Sequence, residues 1–256
     1  MRIHCVQMDI EWEAKPANFF CAQKLLQAAR PEAGSLVLLP EMFATGFSMN
    51  VAGIAEAEGG ATEQFLVALA RDLKCTMIGG VVRLGPDGMG RNRALAIGPN
   101  GEKLADYAKL HPFSFGEESQ HYRGGAGITP FAWQGATVLP TICYDLRFPE
   151  LFRQGVRAGA EIMTVIAEWP AARDHHWLML LTARAIENQC YVAGCNRVGR
   201  DARNEYSGRS VIIDPRGRVI ADAGAAEMVL GAEIDLAALR FYRREFPALS
   251  DIRRDL

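Results

Sequence analysis

Short apolar runs alternate along this chain with longer segments of helical period. The apolar runs are rich in Val, Ile and Leu, which is typical of buried strands, and they cover residues 35–39, 76–82, 138–142, 162–167 and 191–195. The amphipathic segments predict helices over residues 16–29, 62–73, 149–158 and 175–189. A proline begins the first of these helices, and Thr62 is in position to cap the second. Such alternation favours a layered α/β fold.

Two pairs of segments resemble each other. NRALAIGPNGEKLADYAK from Asn92 and GRSVIIDPRGRVIADAG from Gly208 both have the pattern strand, Pro-x-Gly turn, strand, and each predicts a β-hairpin. A second pair of segments each follows a predicted helix and has a proline close to an acid. These segments are SLVLLPE, which ends at Glu41, and EIMTVIAEWP, which contains Trp169. Two similar halves would form two sheets packed face to face with helices outside. Matches this short are equally well explained by chance.

The length of 256 residues suits one large domain. No linker rich in Ser, Gly or Pro divides the chain, and PDGMGR at residues 86–91 predicts only a hairpin tip. We therefore expect a single domain over residues 1–256, with a C-terminal extension from about residue 236.

Charge and cysteine content narrow the class of function. The formal net charge is -2 with both signs interspersed, so we expect neither a nucleic-acid groove nor a membrane patch. No apolar stretch is long enough to cross a bilayer, and the N-terminus is polar by its ninth residue. The six cysteines have no CxxC pair and no metal-ligand spacing, which indicates free thiols in a reducing compartment. A soluble, cytoplasmic protein that acts on a small molecule is the expectation.

Cys143 lies where an apolar run changes to a polar stretch, TVLPTICYDLRFPE over residues 137–150. The run predicts a core strand, and the ends of such strands are where active sites gather in α/β folds. A presented thiol at this point is a candidate nucleophile. The alternative is a buried cysteine that acts as a small hydrophobic residue.

Three further polar positions have a similar setting. Glu41 directly follows an apolar run in LLPEMFATGF, Lys109 follows the first hairpin in DYAKLHPF, and Glu117 and Glu118 lie in the loop FSFGEESQHY. Each has an ordinary explanation: Glu41 as a capping or surface acid, Lys109 as a surface side chain, and the loop acids as solvated groups.

Together these residues could hydrolyse an amide. A free thiol has a pKa near ~8.5, so a nucleophilic cysteine needs a neighbouring base or cation. Glu41 could take the thiol proton, protonate the departing ammonia and then activate water. Lys109 and the backbone N–H after Cys143 could stabilise the oxyanion, and Glu118 could hold Lys109 in place.

The motifs LLPEMFxTGF, YxKxHxF and ICYDLRFPE resemble those of the nitrilase, or carbon–nitrogen hydrolase, superfamily. HWLMLLTARAIENQCYVAGCNRVG looks like its omega-amidase branch in particular. The resemblance implies a Glu-Lys-Cys triad of Glu41, Lys109 and Cys143, with Glu118 rather than Glu117 as a second acid. It also implies a four-layer αββα sandwich, no metal or organic cofactor, and a homodimer. The apolar and aromatic spacing of LAALRFYRREFPAL, from residue 236, could serve an interface between subunits or could pack on its own domain.

The omega-amidase resemblance implies a substrate such as 2-oxoglutaramate or 2-oxosuccinamate, cleaved through a thioester. An N-carbamoyl amino acid hydrolase and a nitrilase are alternatives within the superfamily. A non-catalytic oligomeric binding or scaffold protein is an alternative of another class. Alkylation should distinguish this scaffold protein from an enzyme, because a catalytic Cys143 of low pKa is expected to react before the other five cysteines.

Several residues beside the polar groups are candidates to line a pocket. They are Phe43, Phe47, Phe115, Tyr144, Glu168 and Trp169. Glu168 stands where many proteins of the resembled family carry Asn, and a carboxylate there could repel an anionic substrate or raise the pKa of a neighbour.

Structural roles better explain the remaining charged residues and the adjacent histidines. Arg147 could bind a substrate carboxylate, although pairing with Asp145 or Glu150 is the preferred interpretation. His175 and His176 are adjacent and point to different faces, so we expect no metal site there.

Overall fold

The computed structural model describes residues 1–253, so the last three residues of the predicted C-terminal extension lie outside the described part. The strands are β1 (Arg2–Gln7), β2 (Leu36–Leu38), β3 (Thr76–Leu84), β4 (Gly90–Ile97), β5 (Lys103–Ala108), β6 (Phe131–Trp133), β7 (Ala136–Ile142), β8 (Ile162–Ala167), β9 (Tyr191–Asn196), β10 (Val198–Arg200), β11 (Glu205–Ser207), β12 (Val211–Ile213), β13 (Val219–Asp222) and β14 (Met228–Glu233). The α-helices are α1 (Lys15–Ala29), α2 (Val51–Ile54), α3 (Ala61–Leu73), α4 (Glu118–His121), α5 (Pro149–Arg157), α6 (Asp174–Asn188) and α7 (Leu236–Glu245).

Two six-stranded sheets repeat one topology. The first sheet has the order β14-β1-β2-β3-β4-β5 and the second the order β13-β12-β9-β8-β7-β6. In each sheet three central strands are parallel, with one antiparallel strand on one side and two on the other. Both predicted hairpins, β4–β5 and β12–β13, occupy the same place in their sheets. The two similar halves considered from the sequence are therefore present in the topology.

Alternation along β1 shows how the layers form. Ile3 and Cys5 point into a core shared with the second sheet, whereas Val6 belongs to a core beneath α1 and α3. α5 and α6 cover the second sheet through side chains such as Phe152 and Leu181. Successive side chains of the strand point to opposite faces, so one face of the first sheet packs on helices and the other on the second sheet. The layers are therefore helix, sheet, sheet and helix, which confirms the predicted αββα sandwich.

The four predicted helices begin and end within one residue of their observed bounds. The predicted cap of α3 is wrong, because Gly60 is the N-cap residue and it makes no side-chain capping bond. Thr62 lies within the helix, where its backbone N–H and its hydroxyl both donate to Glu56. The carboxylate of Glu56 thus takes the place of a capping side chain at this helix start.

The C-terminal segment packs on its own chain. β14 pairs antiparallel with β1, and Leu239 of α7 lies in the core. Arg243 donates to the carbonyl oxygens of Gln189 and Ala160, which fastens α7 beside the end of α6. α7 also leaves Phe241 exposed. Over residues 1–253 no helix is both long and apolar enough to cross a membrane.

Candidate active site

Four candidate side chains meet at one end of the sandwich. Glu41 follows β2, Lys109 follows β5, Cys143 follows β7, and Glu118 begins α4. Lys109 Nζ lies 2.9 Å from Glu41 Oε1 and 2.8 Å from Glu118 Oε2. All three of these charged side chains are buried. The carboxyl ends of β2 and β7 thus bring together residues that are far apart in the sequence.

A glycine in β3 lets Glu41 approach the sheet. The backbone N–H of Gly80 donates to the carbonyl of Pro40 at 3.3 Å. A Cβ at Gly80 would lie 2.2 Å from the backbone nitrogen of Met42 and 2.8 Å from the carbonyl carbon of Glu41. No side chain fits at those distances, so this position requires glycine for close approach of two backbones.

Both oxygens of Glu41 have fixed partners. Oε1 accepts hydrogen bonds from Lys109 Nζ and, at 2.6 Å, from Asn92 Nδ2. Oε2 accepts one from the backbone N–H of Glu168 at 3.0 Å. Sequence reasoning missed Asn92, because it lies between Arg91 and Arg93 at the polar start of the predicted hairpin and nothing local distinguishes it from them.

Cys143 has a strained backbone conformation. Its φ of 44° lies in the left-handed region, and it begins a 3₁₀ helix over Cys143–Arg147. Asp145 in that turn accepts hydrogen bonds from the Ile142 N–H, the His111 N–H and the Tyr107 hydroxyl. These bonds join the cysteine turn to the segment that carries Lys109 and hold a conformation that is costly for a non-glycine residue.

The electrostatics of the cluster favour a protonated thiol at rest. Burial and then the carboxylate of Glu41 raise the pKa of Cys143 well above its ordinary value, and Lys109 offsets this only in part. The expectation of a low-pKa cysteine is therefore wrong. A thiol in this state would need a base in order to act as a nucleophile, and the carboxylate of Glu41, whose charge acts on the thiol, is the available group.

Lys109 remains an ammonium. Burial lowers its pKa, but the carboxylates of Glu118 and Glu41 outweigh burial and raise the pKa well above the ordinary range. Burial raises the pKa of Glu118 despite the nearby ammonium. Glu117 points elsewhere and lies 3.5 Å from Arg203, so Glu118 is the acid beside Lys109.

A cavity of about 470 Å³ opens above this cluster. Of the predicted lining residues, the cavity is bordered by Phe47, Phe115, Tyr144, Glu168 and Trp169. It also includes residues that sequence reasoning did not select, among them Trp12, Phe113, Arg173, Asp201, Arg203 and Tyr206. The Phe115 side chain lies at the mouth and is 88% exposed. The lining thus combines seven aromatic residues with charged groups.

Phe43 does not line this cavity, which corrects the prediction. Its ring is fully buried beneath α1 and α3, with ring centroids 6.1 Å from those of Phe19 and Phe65. The reason is the turn after Glu41, where Met42 has a φ of 42° and the chain changes direction.

The carboxylate of Glu168 also differs from expectation. The residue borders the cavity, but its side chain has no exposed surface, so the contact is made by its backbone. Arg197 Nη1 lies 3.0 Å from Glu168 Oε2. Burial raises the pKa of Glu168 to about 8 although Arg197 opposes this. This carboxyl therefore does not face an anionic substrate, and its backbone N–H serves Glu41 instead.

Arg147 lies at the cavity and does not pair with Asp145 or Glu150 as preferred from the sequence. Asp145 is occupied by Tyr107 and His111. The guanidinium carbon of Arg147 lies 4.8 Å from the ring centroid of Trp169 and 5.9 Å from that of Tyr144. Its Nη2 lies 3.3 Å from His176 Nδ1. Within residues 1–253 the guanidinium makes no ion pair with a carboxylate, so its positive charge is not neutralised at the cavity.

Metal-ligand geometry is absent from the described part of the chain, since no group of three or more His, Cys, Asp or Glu side chains could hold a metal ion there. His175 and His176 have ring centroids 6.4 Å apart. The arrangement consists of a thiol, two carboxylates and an ammonium at the floor of an aromatic cavity. Such a set can attack a carbonyl carbon, transfer a proton and stabilise a negative oxygen.

Comparison with known proteins identifies the class. The sequence profile of the family described as carbon-nitrogen hydrolase matches residues 2–244, and the chain belongs to this family. It is therefore a hydrolase that acts on carbon–nitrogen bonds, as the motifs predicted.

Individual relatives cover almost the whole chain. It is 36% identical over 255 residues to the 2-oxoglutaramate amidase of Bacillus subtilis, spanning 99% of this chain and 98% of that protein. It is 38% identical over 253 residues to the omega-amidase YafV of Escherichia coli K12, spanning 98% and 96%.

Solved structures agree with the fold. XC1258 from Xanthomonas campestris, a CN-hydrolase superfamily protein with an arsenic adduct in its active site, matches with a TM-score of 0.92 at 36% identity, over 99% of this chain and 97% of that one. Nit3 from Saccharomyces cerevisiae, a member of branch 10 of the nitrilase superfamily, matches with a TM-score of 0.89 at 28% identity, over 99% and 96%. These likenesses confirm the predicted superfamily and fold.

Proposed function

We propose that this protein is a cysteine-dependent amidase. It hydrolyses the terminal carboxamide of a small 2-oxo-dicarboxylic acid monoamide, 2-oxoglutaramate or 2-oxosuccinamate, to the acid and ammonia. The names of the similar proteins, a 2-oxoglutaramate amidase and an omega-amidase, support this choice of substrate. The catalytic residues of the proposal are Glu41, Lys109, Cys143 and Glu118.

One observation carries the proposal: the buried ion cluster lies directly beside a thiol of raised pKa. Lys109 contacts Glu41 and Glu118 at 2.8–2.9 Å, and the charge of Glu41 helps to keep the Cys143 thiol protonated. A buried ammonium with two carboxylates is an expensive arrangement for stability alone. Its position at the cavity floor favours a catalytic use.

The first half of the reaction forms the thioester. As Sγ of Cys143 attacks the amide carbon, Glu41 accepts the thiol proton. The carbonyl oxygen becomes an oxyanion and receives hydrogen bonds from Lys109 Nζ and from the backbone N–H of Tyr144. That N–H lies in the first turn of the 3₁₀ helix, where N–H groups have no acceptor within the helix. Glu41 then returns its proton to the amide nitrogen, the C–N bond breaks, and ammonia leaves.

The second half regenerates the thiol. Glu41, again ionised, accepts a proton from water as the water oxygen attacks the thioester carbon. The second oxyanion uses the same donors. When the C–S bond breaks, the proton on Glu41 passes to the thiolate and the carboxylic acid product departs. The proton moves only between Glu41, Cys143, water and the leaving group, so the buried charge is the same at the start and end of each half.

Arg147 is the proposed binding group for the substrate carboxylate. Its charge faces the cavity, and the rings of Trp169 and Tyr144 hold the guanidinium. Of the other two arginines at the cavity, Arg203 lies 3.5 Å from the carboxylate of Glu117, and Arg173 lies 5.5 Å from the ring centroid of Phe113, a longer ring contact than that of Arg147 with Trp169. A planar guanidinium binds a carboxylate through two parallel hydrogen bonds.

The decisive experiment measures ammonia release from 2-oxoglutaramate, glutamine, an N-carbamoyl amino acid and a simple nitrile. Wild type and Cys143→Ala are compared, with Cys190→Ala, a buried cysteine away from the cavity, as the matched control. Activity on the oxo-acid amide that is lost only in Cys143→Ala is the expected result.

The other outcomes identify the alternatives. Turnover of the N-carbamoyl compound or the nitrile in preference to the amide would replace the proposed substrate by that of another branch of the superfamily. Wild type that is inactive on all four compounds, with Cys143 unlabelled by substrate, would contradict the enzyme and favour the scaffold interpretation.

We also propose a homodimer formed through α6 and α7. Both helices expose large apolar side chains, Met179 and Ile186 on α6 and Phe241 on α7, with Phe246 just after α7. The hydrogen bond from Gln189 Nε2 to the carbonyl of Phe246 brings the ends of α6 and α7 together, and a second copy would cover these exposed side chains. Mass measurement in solution tests this, with Phe241→Glu expected to give the monomer. A wild-type mass equal to one chain would contradict it.

Because the mechanism needs Cys143 reduced, a cytoplasmic location is part of the proposal.

A further inference from the structure

Asn92 joins the two carboxylates of the ion cluster. It lies in β4, is 2% exposed, and its Nδ2 is 2.6 Å from Glu41 Oε1 and 3.1 Å from Glu118 Oε1. Its own backbone carbonyl accepts the N–H of Lys109 at 2.9 Å. One residue of the strand thus contacts every charged member of the cluster.

The donors of Lys109 are limited. An ammonium has three N–H groups. Three carboxylate oxygens lie within hydrogen-bond distance of Nζ: Glu41 Oε1 at 2.9 Å, Glu118 Oε2 at 2.8 Å and Glu118 Oε1 at 3.1 Å. If Lys109 alone satisfied all three oxygens, no proton would be left for a substrate oxygen.

The amide of Asn92 changes this count. Its two N–H groups reach Glu41 Oε1 and Glu118 Oε1, which are two of the three oxygens near Lys109. The longest of the lysine contacts, 3.1 Å to Glu118 Oε1, is the one that Asn92 can replace. Lys109 then needs one proton for each carboxylate and retains its third.

We propose that Asn92 is a positioning residue that binds Glu41 and Glu118 together and thereby leaves one ammonium proton of Lys109 free for the oxyanion. This inference rests on the proposed function, because the free proton matters only for a reaction that forms a negative oxygen at the cavity. The residue acts through Lys109 and does not itself touch the substrate.

The other end of the Asn92 side chain supports a role as donor. Oδ1 is buried and has no hydrogen-bond partner among residues 1–253. A buried acceptor without a partner destabilises the folded state, so the carbonyl end does not explain an amide at this position. Two donors directed at two carboxylates do explain it, because a hydroxyl has one donor and an ionised carboxylate has none.

The test compares Asn92→Ala and Asn92→Asp with Asn188→Ala. Asn188 is the matched control, since it is buried on α6, its Nδ2 donates to the carbonyl of Arg184 at 3.0 Å, and its Oδ1 also lacks a partner. The measurements are kcat and KM from pH 5 to pH 9, with the melting temperature recorded at each pH.

Asn92→Ala should lower kcat on the order of 10²-fold, the loss expected when an oxyanion donor is removed, with little change in KM. Asn188→Ala should lower the melting temperature without this loss of kcat. Asn92→Asp should retain only part of the wild-type kcat at low pH, where its protonated carboxyl supplies one donor in place of two. Its kcat should fall further as pH rises, because the ionised carboxyl supplies no donor and two neighbouring carboxylates raise its pKa. Melting temperatures that stay well above the assay temperature over the same pH range exclude unfolding as the cause.

A second readout separates this inference from the choice of substrate. The initial burst of p-nitrophenolate from p-nitrophenyl acetate reports acylation of Cys143 through an oxyanion, and it needs no amide. If wild type does not hydrolyse 2-oxoglutaramate but Asn92→Ala still loses the burst rate, the proposed substrate is wrong and the role of Asn92 stands. A burst rate and kcat for Asn92→Ala within about twofold of wild type would overturn the inference. Equal losses in Asn188→Ala, or an Asn92→Asp pH profile like that of wild type, would overturn it as well.

Discussion

Replacement of Arg147 should weaken binding of the substrate carboxylate and leave the chemistry of the amide intact. In Arg147→Lys the positive charge remains, but the planar fork and its packing on the rings of Trp169 and Tyr144 are lost. In Arg147→Gln the charge is lost as well. The two variants therefore separate geometry from charge.

The expected magnitude follows from the contacts available. A hydrogen bond to a charged group contributes about 1.5–3 kcal/mol, and each 1.4 kcal/mol is a factor of ten. Arg147→Gln removes both bonds of the fork, which at the lower figure amounts to about 3 kcal/mol, so kcat/KM for 2-oxoglutaramate should fall by at least about 100-fold. Arg147→Lys keeps one charged bond and should lose about tenfold by the same arithmetic. Because binding of the carboxylate precedes the chemistry, most of the change should appear in KM.

The assay uses two substrates that differ only in the carboxylate. 4-Oxopentanamide keeps the keto group and the amide of 2-oxoglutaramate and carries a methyl group in place of the carboxylate. Wild type should prefer 2-oxoglutaramate, and Arg147→Gln should lose most of that preference. Arg203→Gln serves as the control, since this arginine lies near Glu117 at the cavity mouth and its side chain is 70% exposed.

An equal fall in kcat/KM on both substrates would refute the reasoning, because it would mean that Arg147 supports the cluster and not the carboxylate. A loss of preference in Arg203→Gln as large as in Arg147→Gln would assign the carboxylate to the mouth of the cavity. Unchanged discrimination in Arg147→Gln would remove Arg147 from the binding site.

Three further changes have defined outcomes. Glu41→Gln should lower turnover by about 10²–10⁴-fold, the usual contribution of a general base. The same variant should speed iodoacetamide labelling of Cys143 at pH 7, because the charge that raises the thiol pKa is gone. Slower labelling would contradict this. Gly80→Ala should cost about 1–3 kcal/mol in thermal unfolding and reduce kcat, whereas Gly127→Ala, with open space at its Cβ, should do neither. Glu168→Gln should flatten the pH dependence of the melting temperature. Burial raises the pKa of the folded carboxyl to about 8, so the folded state holds more protons than the unfolded chain between pH 4.5 and 8. Wild-type stability therefore falls as pH rises through that range. An equally steep fall in the variant would assign the slope to other groups.

The strands and the polar residues that follow them were accessible from the sequence. Glu41 and Cys143 each come directly after a run of apolar residues, and that signal is local. Local patterns also gave the hairpins and the helix bounds, because a period of two or of 3.6 and the turn residues between elements are visible within a short window.

Contacts between distant segments were not accessible in the same way. The preferred partner of Arg147 was wrong because Tyr107 and His111 occupy Asp145, and neither is near it in the sequence. Phe43 was misplaced because proximity to Glu41 along the chain does not give the direction of a side chain after a turn. Asn92 was missed because its partners approach it only when the strands have assembled.

The pairing of β1 with β14 has a consequence for how the chain is made. Arg2 at the start of β1 lies opposite Glu233 at the end of β14, and the amide of Gln7 donates to the carbonyls of Gly224 and Ala226. During synthesis, one edge of β1 therefore waits without a partner until the second sheet has been translated. An open strand edge is a template for pairing with other chains, and contacts of such long sequence separation form slowly. The nascent chain is thus most vulnerable to aggregation in the interval before β14 emerges, and a chaperone that covers the first sheet would act in that interval.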